Sequence, residues 1–284
     1  MTRRRHALRA VCRAMVFAAI ATAPLRAQVR VHRGMPASPA ISMRVWVPSG
    51  KVRIAVWSRD SIDITGTVSA TASVFGGGNR DFAKFGVEPI RTGDTRLPEA
   101  DWVVTVPRAA HVWVKMTAGT IETDSTAGGL ELYTVGGKIV VQHASGVTSV
   151  ESIDAAVTIS SSRGDIRVRS GKGLLQLVDV SGTASVTSVS GRVDVRGSVA
   201  PEGRIEAIGG DIAIDVPRLR GVTLDLLTHS GAISAIVHRN AIPLLDLASR
   251  VGRVSNPAPA GQRANGRISA RSFRGPITIE LRAK

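Results

Sequence analysis

Residues 119–199 divide into nine lines of nine: GTIETDSTA, GGLELYTVG, GKIVVQHAS, GVTSVESID, AAVTISSSR, GDIRVRSGK, GLLQLVDVS, GTASVTSVS and GRVDVRGSV. Eight lines open on glycine (Gly119, Gly128, Gly137, Gly146, Gly164, Gly173, Gly182 and Gly191), and the other on Ala155, the next smallest side chain. Glycine makes up 29 of 284 residues, so this phasing is far beyond chance. Two and four residues after the small residue the chain is usually apolar, as in Leu130/Leu132, Ile139/Val141, Val157/Ile159, Ile166/Val168, Leu175/Leu177 and Val193/Val195. Alternation at period two marks a strand with one buried face. The glycine supplies a turn that needs positive φ or close backbone approach. A short strand and a tight turn repeated at fixed length predict a solenoid rung.

Working outward, the same signature begins near Ile41, with Met43, Val45 and Val47, a Pro48-Ser49-Gly50 turn, and then Val52, Ile54 and Val56. Residues 28–40 hold two prolines without clear period and read as a linker or a weak first strand. Residues 75–100, rich in glycine and proline, predict an excursion with no long strand, tied back or left sticky by Phe75, Phe82 and Phe85. The motif returns at Gly203, Gly210, Gly221 and Gly231, breaks over a second excursion at 238–265, and closes with Gly266 and Gly275. No segment has a helical period. The expected fold is all-β: a single-domain parallel β-solenoid (β-helix) over residues 41–284, built on nine-residue strand-turn repeats. Two nonapeptides per coil would give two sheets and three would give a triangular coil; either leaves the apolar residues seven after the glycine (Val135, Ile153, Val180, Val189) to line a corner.

Residues 1–27 read as a secretory signal peptide, with Arg3, Arg4, Arg5, Arg9 and Arg13 before a short apolar run and Leu25-Arg26-Ala27 as the cleavage site. That run is too short to span a bilayer, which takes about twenty residues, and no later stretch is long and apolar enough. The expected location is therefore the periplasm, the cell surface or the medium. The only cysteine, Cys12, leaves with the signal, which excludes disulfides and thiol chemistry from the mature chain. Signal removal also takes six arginines and no acid, lowering the net charge from +15 to +9. Residues 247–284 carry eight cations against Glu280 alone. Arg263, Arg267, Arg271 and Arg274 within them are candidate contacts for an anionic polymer. Export and the scarcity of aromatics argue against a nucleic-acid partner.

The "SG-x-I-x-V" rungs, with strings such as KMTAGTIET, VSGRVDVRGS and THSGAISAI, resemble the bacterial putative-adhesin domain family over roughly residues 41–282. The resemblance implies an exported β-solenoid with a surface-binding role, and it brings no catalytic residues with it.

Chemistry is sparse in the sequence. Calcium-bound β-rolls need Gly-Gly-x-Gly-x-Asp turns, whereas these turns read SSRGD, DVSGT and SVSGR, so no calcium is expected. The histidines never fall at metal-ligand spacing, and no G-x-S-x-G elbow occurs. No cofactor is expected. Sugar cleavage needs two carboxylates converging on one face. Acids gather only at Glu122, Asp124, Glu131 and Glu151; with eighteen residues per coil, Glu131 and Glu151 stand in different rows and Arg169 follows Glu151. The outward positions are dominated by Ser, Thr and mixed charge, with little aromatic platform for sugars. The expected function is non-catalytic and adhesin-like, making contacts at the cell envelope with an anionic polymer, a glycan or another surface protein. The alternatives are a polysaccharide-active lyase or hydrolase and a structural envelope spacer.

Overall fold

Each alternating stretch of the repeat becomes a strand with its apolar residues turned inward. The computed structural model describes residues 28–91, 93, 95–197, 202–215, 217, 221–238, 243–257 and 266–282. The expected signal peptide at 1–27 and Arg263 lie outside the described residues. In chain order the strands are β1 (Gln28–Pro36), β2 (Ser42–Trp46), β3 (Ser49–Trp57), β4 (Ser61–Ser69), β5 (Ala72–Gly78), β6 (Phe82–Pro89) and β7 (Glu99–Pro107). Next come β8 (His111–Asp124), β9 (Leu130–Gln142), β10 (Ser145–Ser160), β11 (Arg163–Ser170), β12 (Leu175–Val178), β13 (Ser181–Ser188) and β14 (Val193–Arg196). The last are β15 (Glu202–Ala207), β16 (Ile212–Asp215), β17 (Val222–Thr228), β18 (Ile233–His238), β19 (Leu244–Ser249), β20 (Val254–Ser255), β21 (Gly266–Ser272) and β22 (Ile277–Arg282). The chain is all-β, with no helix among the described residues, and the strands join in one sheet.

Register decides the length of the repeat. Gly119 pairs with Gly137, Ala155 with Gly137, and Gly146 with Gly164 and through it Gly182, each parallel and eighteen residues apart. Two nonapeptides therefore separate one rung from the next. The pairing runs along two ladders. One contains β3, the second halves of β8, β9 and β10, and then β12, β14, β16, β18 and β22. The other contains β2, the first halves of β8, β9 and β10, and then β11, β13, β15, β17 and β21. The apolar pairs of both ladders are buried in one continuous hydrophobic cluster.

The glycines act by what they exclude. Gly119 and Gly137 adopt φ +134° and +110°, and a Cβ on either would overlap the carbonyl oxygen of the paired rung. No other residue type fits both demands. A second column of left-handed residues, Ser125, His143, Ser161 and Asp179, turns one corner of each rung with φ near +50° to +60°. Their amides donate to the next rung, as from Ser125 to the Gln142 carbonyl and from His143 to the Ser160 carbonyl. Serine and threonine serve the opposite turns: Ser188 donates to the Gly191 carbonyl at 2.8 Å and Thr134 to the Gly136 carbonyl at 2.9 Å.

Three expectations are corrected. The sheet is mixed rather than purely parallel, because β1 pairs antiparallel with β4, β4 with β7, and β5 with β6. The physical reason is edge protection: these reversed strands cover the end of the parallel array. The 75–100 segment is not strandless; β5 and β6 form a hairpin, and β6 pairs with β2. Its glycines are consumed by that pairing, since Gly76 and Gly78 lie against the β6 backbone with no room for a Cβ. Of the four residues expected to line a corner, Val180 is buried, but Val135, Ile153 and Val189 are exposed. Val135 and Ile153 lie where β9 and β10 pass from one ladder to the other, and Val189 directly follows β13, so their side chains face outward at these corners.

Candidate functional site

The outward side chains of the second ladder form two rows, fixed by register. One row runs Lys84, Arg44, Trp113, Glu131, Ser149, Arg167, and the other runs Gly86, Trp46, Lys115, Tyr133, Glu151, Arg169. Three shallow depressions lie end to end along these rows. The first is lined by Arg44, Trp46, Lys84, Trp113 and Lys115. The second shares Trp113 and Lys115 and adds Glu131, Tyr133, Ser149 and Glu151. The third shares Ser149 and Glu151 and continues to Arg167, Arg169 and Thr187. The result is a beaded groove across seven strands, or six spacings of ~4.8 Å, about 29 Å in all.

At one end of the groove aromatic rings and cations stand side by side. Trp46 and Trp113 come from β2 and β8, and Phe75 from the hairpin. Gly86 leaves a notch: a Cβ there would overlap the Phe75 ring, so that ring occupies the empty place in its row. Phe75 meets Trp46 edge-on, centroids 6.2 Å apart at 71°, the arrangement favoured by ring quadrupoles. The cations lie over rings: Arg44 5.5 Å from the Phe82 centroid, Lys84 5.6 Å from Phe75, and Lys115 5.3 Å from Tyr133. Trp46 and Phe82 are 41% and 39% exposed, high for large rings in a packed array.

This aromatic end corrects the expectation of a face with little aromatic platform. Five of the chain's ten aromatic residues meet here from positions 46, 75, 82, 113 and 133. Their spacing carries no nine-residue signal, because the excursion lies between β3 and β8. The available clue was that Trp46 and Trp113 each occupy an outward position in strands of alternating pattern.

The carboxylates stand apart from one another. Glu122 and Asp124 belong to the first ladder, Glu131 and Glu151 to the second. Each meets a basic side chain: Lys51 with Glu122 at 2.8 Å, His143 with Asp124 at 2.9 Å, His111 with Glu131 at 2.9 Å, and Arg169 with Glu151 at 3.5 Å. The hydrogen bond from His143 holds the Asp124 carboxyl below its usual value, against a smaller desolvation effect. Among the described residues no group of three His, Cys, Asp or Glu is placed to hold a metal.

At the far end, the candidate arginines are partly engaged. Arg267 and Arg271 both donate to Asp246 Oδ2, at 3.1 and 2.8 Å. Arg282 reaches Asp215 at 3.0 Å. Arg274 and Arg250 lie over the Phe273 ring, which stacks on His229 at 4.9 Å. Asp246 stands one residue before the basic window and Asp215 is distant in sequence, so the charge count alone did not show these pairs.

No helix among the described residues is long and apolar enough to cross a membrane. No family model and no curated protein matches the chain. Among solved structures it is similar to a putative adhesin from Bacteroides fragilis, at 12% identity, 90% of this chain and 99% of that one, with a TM-score of 0.39. A putative lipid binding protein from Parabacteroides distasonis matches at 14% identity, 89% and 96% coverage and TM-score 0.39. A putative cell adhesion protein from Clostridium sporogenes matches at 8% identity, 89% and 100% coverage and TM-score 0.28.

Proposed function

We propose that this is an exported, non-catalytic binding protein that makes adhesin-like contacts at the cell envelope or surface. In this reading residues 1–27 are a cleaved signal, and residues 41–284 wind as one β-solenoid domain with two ladders per coil. The observation that carries the proposal is the beaded groove, a long row of outward side chains on rigid strands, suited to an extended ligand. The engagement of Glu122, Asp124, Glu131 and Glu151 by Lys51, His143, His111 and Arg169 supports a binding role over sugar cleavage, which needs a free acid and a free base or nucleophile on one face. The basic end, with Arg263, Arg267, Arg271 and Arg274, is a further proposed contact for anionic envelope polymer. The test is an array of envelope polymers and glycans, run beside an activity screen on the same sugars. Retained binding without turnover is expected. Turnover would establish a polysaccharide-active enzyme instead, and neither binding nor turnover would favour an envelope spacer.

A further inference from the structure

We infer that the aromatic end of the groove is a subsite for an acidic polysaccharide, a sugar chain bearing carboxylate or sulfate groups. The inference rests on the binding role proposed above and gives it a place and a ligand chemistry. Two kinds of group stand side by side here. Trp46, Trp113 and Tyr133 present ring surface on which the apolar C–H face of a pyranose can lie. Arg44 stands beside Trp46 on β2, Lys115 beside Trp113 on β8 and Lys84 next to Arg44 on β6, and none of them makes an ion pair among the described residues. A chain laid along the ladder axis would meet one ring and one cation side by side on β2 and again on β8, stacking a sugar on one and pairing an acidic substituent with the other.

The next rungs separate this chemistry from that of a nucleic acid. Glu131 and Glu151 line the continuing groove, with Ser149 next to Glu131 in its row. Carboxylates and hydroxyls accept and exchange hydrogen bonds with sugar hydroxyls. They disfavour a nucleic acid, whose charge lies in the backbone itself, whereas a polysaccharide's acidic groups are pendant, so its hydroxyls can face these rungs while its acids reach the cations. A flat membrane is also poorly matched, because the rings are seated within a depression rather than raised from it.

The full chain should be titrated by isothermal calorimetry with alginate and polygalacturonate, and with neutral dextran, single-stranded DNA and phosphatidylglycerol vesicles as contrasts. The acidic polysaccharides are expected to bind, and dextran at least tenfold more weakly. Trp113→Ala and the pair Lys84→Ser/Lys115→Ser should each weaken binding about tenfold or more. Trp113→Phe, which keeps a ring, should restore most of the affinity lost in Trp113→Ala. All these positions are on the outer face, and thermal melts will show whether each variant remains folded. Added salt should weaken wild-type binding and have less effect on the lysine pair variant. Acidic polysaccharide binding that survives both sets of changes but is lost in Arg267→Ser/Arg271→Ser/Arg274→Ser would overturn this site and leave the binding role standing. Tighter binding of DNA or vesicles through the same residues would overturn the ligand class. No binding to any of the five probes would overturn the subsite, and the array above would then decide the broader role separately.

Discussion

The two ends of the parallel array are finished differently. At one end the chain reverses: β4 lies antiparallel on β7, β1 on β4, and β5 on β6, with Trp102, Ile64 and Val68 buried beneath. At the other end β19 and β20 stack parallel outside β21 and β22. There Leu244, Val251 and Val254 are exposed and Leu245 and Leu247 only partly covered. Among the described residues β19 pairs only with β21. A stack of parallel strands has no natural end, and an unpaired edge invites further pairing. The reversed cap covers that end of the parallel array, its own outer strands β1 and β5 each having one partner among the described residues, and it delivers Phe75, Phe82 and Lys84 to the groove. The parallel finish supplies Arg267 and Arg271, held by Asp246, and Arg250 and Arg274 over the Phe273 ring. The first excursion thus adds rings and a lysine to the groove, whereas the one at 238–265 adds two parallel strands and Asp246.

The most damaging test attacks what both ends share. Gly164 has φ +117°, and a Cβ on it would overlap the Gly146 carbonyl. Gly164→Val should cost several kcal/mol, about 3 or more, through backbone strain and lost register. Chemical denaturation should show a single transition lowered for the whole chain. A variant that unfolds in two steps, with the cap intact in the second, would show instead that the ends are independent units.

Next in size is the contrast between the ends themselves. Trp102 is 1% exposed and lies under the cap, so Trp102→Ala should destabilise by about 3–5 kcal/mol. Leu245 is only partly buried on the outermost strand, so Leu245→Ala should cost roughly 1 kcal/mol, the loss expected when little area returns to water. Denaturation midpoints at constant slope measure both. Equal losses would remove the distinction between a sealed and an open end.

A smaller effect probes the charge at the open end. Asp246 holds Arg267 and Arg271. Asp246→Asn should therefore raise the salt concentration needed to elute the protein from heparin, because two guanidinium groups are released. Unchanged elution would mean that these arginines take no part in anion contact.

The repeat was legible because its determinants are local. A glycine at positive φ and an apolar pair two and four residues later specify one rung without reference to any other. The same locality hid the site. Trp46 and Trp113 are 67 residues apart in sequence, and only the pairing of β2 with β8 across the excursion makes them neighbours. The antiparallel cap was illegible for a related reason: Ile62, Ile64 and Val68 alternate like any rung, and alternation carries no strand direction. Asp246 was overlooked because counting charge within a window treats sequence neighbours as spatial ones.

The smallest expected effect concerns acid, in the rung that adjoins the capped end. Asp124 closes β8 and accepts from His143 Nδ1 at 2.9 Å, with Ser125 donating to the same oxygen. Its carboxyl is held below the usual value of 3.8, chiefly by the His143 hydrogen bond. A carboxyl that is more acidic folded than unfolded contributes stability above the unfolded value, and loses it as pH falls through the folded one. Asp124→Asn should thus be slightly less stable than wild type near pH 6, by no more than ~1 kcal/mol for so exposed a pair. The gap should close as pH drops below 3.8. Paired denaturation curves from pH 6 to pH 2.5 would measure it, and a gap that stays constant or widens toward acid would place the stabilising contact elsewhere in the rung.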